Sequence, residues 1–176
     1  MSMLRVASLL SVVVAVMLAG RAISAQDKYT VQVPDGLAFS EFRGYENWEI
    51  VSVSLAENVM AVILANPVMI EAYKSGIPGN GKPFPDGSKT AKIHWKLKKS
   101  TEAPASTSVP DVLHDVDFMV RDSKRFPNTN NWAYAQFNYD AAADAFSPEG
   151  TGSDCGAACH TLVTAKDYVF TAYQKK

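Results

Sequence analysis

The chain is poor in cysteine, with only two among its 176 residues. That number excludes a multi-disulfide scaffold and a four-thiolate zinc site. It is also poor in net charge: 17 Lys and Arg against 18 Asp and Glu give −1. Without a basic excess, a nucleic-acid partner is not expected, because phosphate binding needs a positive surface. Long hydrophobic runs are missing too. The longest, Val6 to Ala19, has 14 residues and contains only Ser8 and Ser11 as polar members, which is short for a membrane span. No internal repeat or long linker is visible. What is present, 47% apolar and 20% charged residues, suits a packed core and argues against global disorder.

The apolar run reads as an address. Arg5 precedes it, Ala22-Ile23-Ser24-Ala25 follows it, and residues 1–25 carry no Asp or Glu. A basic start, a short apolar stretch and a small-residue exit describe a secretory signal peptide cleaved after Ala25. An uncleaved anchor is the competing reading. Cleavage leaves residues 26–176, which are 151 residues with a net charge of −3 after loss of two Arg. That length suits a single domain burying roughly 70% of its unfolded surface. Such a product belongs outside the cytoplasm, in the periplasm of a Gram-negative cell, and off the membrane once cleaved.

Along the mature chain, Asn47 to Leu55 and Val59 to Leu64 read as a hairpin of two strands. Pro67 opens a helix that runs to Lys74. Gly76 to Gly87 holds four Gly and three Pro and is a loop. The clearest strand follows: Ala91, Ile93, Trp95 and Leu97 alternate with Lys92, His94, Lys96 and Lys98, one apolar face against one polar face. Ser100 to Pro110 reads as a loop, Val112 to Val120 as a strand, Asn128 to Asn131 as a turn and Trp132 to Tyr139 as a strand. Ala141 to Ser153 is small and polar. A helix is expected from Cys155 through Ala165, then an extended tail, Tyr168 to Tyr173. The sum is an α+β domain, an antiparallel sheet of about five strands with two or three packed helices.

The two cysteines sit together, in Cys155-Gly-Ala-Ala-Cys159-His160. Two thiols followed directly by an imidazole are what covalent haem attachment requires: each thiol forms a thioether with a haem vinyl group, and the His supplies the proximal iron ligand. The common spacing has two residues between the cysteines, and this chain has three. A helix places i and i+4 on one face, so both thiols can still reach one porphyrin. A Cys155–Cys159 disulfide is the competing reading, natural in an exported protein, but it gives no reason for His160.

With its surroundings included, the motif resembles the cytochrome P460 family, which includes the cytochromes c′-beta. The resemblance runs from about Trp48 to Tyr173. It is carried by Phe84-Pro-Asp-Gly-Ser-Lys-Thr-Ala-Lys92, Val120-Arg-Asp-Ser-Lys-Arg-Phe126, Asn131-Trp-Ala-Tyr-Ala-Gln-Phe137, Cys159-His-Thr161 and Lys166-Asp-Tyr-Val-Phe-Thr171. It implies an antiparallel sheet carrying haem on one side. It implies one haem c per chain, bound through Cys155 and Cys159, with His160 as the metal ligand on a five-coordinate iron.

By the same resemblance Lys92 matches the lysine that cross-links to the haem ring, with Lys89 as a rival and a solvated strand lysine as the plain alternative. Asp117 matches a distal carboxylate that takes up protons in catalysis, where the family more often has Glu. Asp115, of the same strand parity, is its rival, and a solvent-facing Asp the plain alternative. His94 and His114 are candidate distal groups that read more simply as surface residues. Met60, Met69 and Met119 read as core rather than as axial ligands. Arg125 is placed to pair with an acidic residue or a haem propionate. The activity implied is oxidation of hydroxylamine, with or without nitric oxide, and transfer of the electrons to a soluble c-type cytochrome. Without the cross-link, the implied function is that of a cytochrome c′-beta-like nitric-oxide-binding protein without turnover. Family members are often dimers, so a homodimer is a further expectation.

Overall fold

The computed structural model describes residues 25–34, 36–149 and 152–174, with no side-chain description for residues 152–155. The signal-peptide reading, apart from Ala25, and the side chain of Cys155 lie outside the described residues. Six strands form one antiparallel sheet in sequential order: β1 (Glu49–Ala56), β2 (Val59–Ala65), β3 (Lys89–Lys99), β4 (Ser108–Arg121), β5 (Trp132–Asp140) and β6 (Ala145–Glu149). Among the described residues two α-helices accompany them, α1 (Pro67–Lys74) and α2 (Gly152–His160). The α+β expectation holds, with one strand more than the sequence suggested.

Alternation along the strands splits the side chains between two clusters. On one face, Leu64, Ala91, Ile93, Val116, Phe118, Val120, Ala133, Ala135 and Phe137 meet Val33, Leu37, Phe39, Phe42 and Tyr45 from the N-terminal segment. Phe42 stacks on Phe118 with ring centres 4.1 Å apart. Those N-terminal residues lie in and around short 3-10 turns, Phe39–Phe42 and Tyr45–Asn47. On the other face, Ala61, Ile63, Met119, Trp132 and Tyr134 pack beneath Met69, Ile70 and Tyr73 of α1, Phe84 of the glycine-rich loop and Val169 of the C-terminal tail.

Helix α1 begins where expected because Asn66 caps it. Its side-chain oxygen accepts from the Met69 N–H at 3.2 Å and also from the Lys89 N–H at 3.0 Å, so one residue satisfies a helix start and ties it to the start of β3. The C-terminal helix is shorter than the sequence pattern suggested. The α-helical part ends at His160, and Thr161–Lys166 continues as a 3-10 segment with a kink at Val163. β4 begins at Ser108, inside the stretch read as loop. β6, missed from sequence, contains Pro148; as an edge strand it has one side that needs no donor.

Candidate haem site

Each of the six strands contributes one residue to a single row across the second face. Ser52 lies opposite Ile63, Ile63 opposite Lys92, Lys92 opposite Asp117, Asp117 opposite Gln136 and Gln136 opposite Glu149. All six line a cavity of about 730 Å3, within the range of small-molecule and cofactor pockets. Thr90, Met119 and Tyr134 form part of the adjoining row, and Gly156, Cys159, His160 and Val169 to Ala172 close the cavity from above.

The helix that carries the cysteine–histidine motif is held close to the sheet. A Cβ on Gly156 would fall 2.6 Å from Cβ and Cγ of Tyr134, well inside van der Waals contact. The residue after Cys155 is therefore glycine because α2 lies directly on β5. At the end of the helix, the His160 ring sits 4.7 Å from the Tyr134 ring and 4.9 Å from the Phe170 ring. Its Nδ1 lies 2.5 Å from the Tyr168 carbonyl oxygen. That geometry assigns the ring proton to Nδ1, which donates to the carbonyl and leaves Nε2 as the free basic nitrogen. Tyr168 itself adopts a left-handed backbone, φ 63°, which turns the tail back toward the histidine. Burial lowers the His160 pKa. The hydrogen bond to Tyr168 opposes that, and the nearby Lys92 charge adds to it. A neutral imidazole results, the form a metal binds.

Lys92 and Asp117 both reach the cavity. Neither is the freely solvated strand residue that the plain reading of the alternation allowed: both are half-buried. Lys89, the rival, is on the opposite face, where its Nζ donates to the Glu41 carbonyl at 2.6 Å. Burial pushes the Asp117 pKa up to about 6, helped by the Asp115 carboxylate and opposed by His94 and Lys92. Its Oδ1 is buried with no hydrogen-bond partner. Asp115 lies behind Asp117 rather than lining the cavity, between His94 and His114.

The reading of His94 as an exposed strand residue is corrected: its side chain is 15% exposed and joined to Asp115. His114 is half-exposed, as expected of a surface residue, but is also joined to Asp115. Met69 and Met119 are buried core residues. Arg125 pairs with Glu41 at 2.7 Å. Cys159 carries a free, exposed thiol.

The residues fit a haem. The cavity is of cofactor size and walled on its apolar side by Ile63, Met119, Val169 and Phe170. A free imidazole nitrogen enters from a helix end beside a cysteine thiol. An unpartnered carboxylate oxygen waits on the sheet. The family profile of cytochrome P460 matches residues 42–171, most of the chain.

The chain belongs to the cytochrome P460 family.

A comparison with curated proteins finds no match. Membership makes this a haem-binding cytochrome with iron as its metal. Sequence reasoning missed Gln136, Glu149, Tyr134 and Gly156 at the cytochrome P460 site. Gln136 lies within a segment that carries the resemblance and Glu149 outside any motif, but both follow by parity once the register of Lys92 against β4 is known. For Gly156, the signal was present in the first spacer residue of the cysteine motif.

Proposed function

We propose that the protein is an exported mono-haem c-type cytochrome that oxidises hydroxylamine, alone or together with nitric oxide, and passes the electrons to a soluble c-type cytochrome. The reading rests on the placement of Lys92 directly opposite Asp117, in a cavity that His160 and Cys159 close. When bound, haem would supply an iron that takes up and oxidises small nitrogen species.

The chain's own residues divide the remaining work. His160, oriented by the Tyr168 carbonyl, would hold the iron through Nε2. Cys155 and Cys159 would form the two thioethers. Lys92 projects from the sheet into the cavity and would supply the amine for a cross-link to the ring. Asp117, with a pKa raised to about 6 by burial, is mostly ionised at neutral pH yet basic enough to accept protons from hydroxylamine as it is oxidised. Residues 1–25 direct the chain to the compartment where c-type haem is attached.

Mature protein made with a haem-attachment system is examined by intact mass, absorption spectrum and hydroxylamine turnover. The proposal expects a covalent haem, a strongly red-shifted ferrous band lost in Lys92→Ala, and turnover. A haem-free mass overturns it. An ordinary c-type ferrous spectrum, release of the haem peptide without Lys92 and nitric-oxide binding without turnover replace it with a cytochrome c′-beta-like binding protein.

A further inference from the structure

The side chains behind Asp117 lead away from the cavity to the surface. The ladder between β3 and β4 pairs Asp115 with His94 and Leu113 with Trp95, so His114 is an extra residue with no partner in β3. Such a bulge breaks the alternation of faces and re-aims a side chain. Here it lets two neighbours in sequence, His114 and Asp115, touch. Nδ1 of His114 meets Oδ2 of Asp115, and Nδ1 of His94 meets Oδ1 of the same carboxylate. His94 Nδ1 also lies 3.9 Å from Asp117 Oδ2. Side-chain exposure is 6% at Asp115, 15% at His94 and 45% at His114, so the series ends in water.

We propose that Asp117, His94, Asp115 and His114 form a proton path between the cavity and solvent. The proposal rests on the reading of Asp117 as the group that takes protons from the substrate. A small rotation of Asp117 closes the gap to His94. The proton that Nδ1 of His94 shares with Asp115 moves to Oδ1, and the proton of the Asp117 carboxyl takes its place on Nδ1. Asp115 passes one from Oδ2 to Nδ1 of His114, and His114 releases one from Nε2 to water. One proton enters and one leaves, with no electron transferred. The charged and polar groups facing the path are Lys92 on β3, Gln136 and Asn138 on β5 and Glu149 on β6. None of them connects Asp117 to Asp115 as His94 does.

Reduction of the haem reads the path without substrate turnover. An added electron raises the proton affinity of a nearby carboxyl, so reduction draws a proton to Asp117. Stopped-flow reduction of the haem-loaded full protein, followed with a pH-indicator dye, measures the rate and extent of that uptake. His94→Gln and His114→Gln are expected to slow uptake by about tenfold or more with haem content and ferrous spectrum unchanged. Added imidazole should restore the rate in His114→Gln, and Asp117→Asn should lose the uptake. Unchanged rates in the histidine variants, or undiminished uptake in Asp117→Asn, overturn the path. If His94→Gln does not load haem, His114→Gln at the exposed end decides alone. Uptake by this path in a protein that does not oxidise hydroxylamine supports the path and overturns the enzymatic reading.

Discussion

Lys92 and Asp117 are direct cross-strand partners, one on β3 and one on β4, and both line the cavity that His160 closes. Opposite charges so placed would ordinarily hold a carboxyl below its usual range. Asp117 goes the other way, to about 6, because burial and the Asp115 carboxylate outweigh Lys92 and His94. The site thus contains a carboxylate that binds protons near neutral pH.

That shift has a cost in stability with a definite sign. The Asp117 pKa rises from 3.8 to about 6 on folding. Between those values the folded state holds a proton that the unfolded state has lost, so stability falls as pH rises through the interval. The favourable contribution is complete below the unfolded pKa and gone above the folded one. Asp117→Asn removes the dependence. The variant is expected to melt higher than wild type at pH 7 and at the same temperature as wild type at acid pH. Thermal unfolding of the haem-loaded proteins across this range checks it, and a wild-type advantage at pH 7 would refute it.

The same group sets a pH profile for turnover. If Asp117 accepts the substrate's proton, hydroxylamine oxidation should rise with pH through about 6 and level off above it. Asp117→Asn should lower the rate by about 100-fold and flatten that limb. Asp117→Glu keeps the carboxylate and should retain a sigmoid profile. A rate in Asp117→Asn equal to wild type at every pH would remove the residue from proton transfer.

Gly156 makes a separate structural demand. An added methyl group would meet Tyr134 at 2.6 Å, so Gly156→Ala forces α2 away from β5. Overpacking of this kind costs about 1–3 kcal/mol. Because α2 carries Cys159 and His160, the yield of covalently attached haem should fall together with stability. Denaturant midpoints and intact-mass haem content are the measurements. A stable Gly156→Ala protein with full haem content would show that the helix does not need this approach.

Much of this site was legible in the sequence. The cysteine–histidine motif named the haem, and the alternation around Lys92 and His94 described the cavity-facing side of β3 correctly as polar. What that alternation could not say was whether the polar face met water or a cofactor, since both accept Lys and His. The register that puts Lys92 against Asp117 was not readable either, because it depends on turns and on the bulge at His114, which leave no periodic trace. The N-terminal segment was invisible for a similar reason. Its 3-10 turns have no amphipathic period, yet they bring Phe39, Phe42 and Tyr45 into the core.

Arg121 is expected to matter to the site at a distance. Its side chain is 10% exposed and lies between two carboxylates, with Nη1 2.8 Å from Asp86 and Nε 3.3 Å from Asp167. Asp167, itself 13% exposed, also accepts from the Phe84 N–H at 2.8 Å. These contacts fasten the chain just before Tyr168, whose carbonyl orients His160. Arg121→Ala leaves the Asp167 carboxylate buried without its counter-charge, a loss of about 3–5 kcal/mol. Asp167→Asn should cost less, because a neutral amide needs no partner ion. The double variant should recover part of the loss, since the two residues act as a pair. Unfolding midpoints of the four proteins test the coupling, and the ferric spectrum reports whether His160 ligation weakens in parallel. If the two single substitutions are additive, Arg121 and Asp167 do not act as a pair in holding the tail.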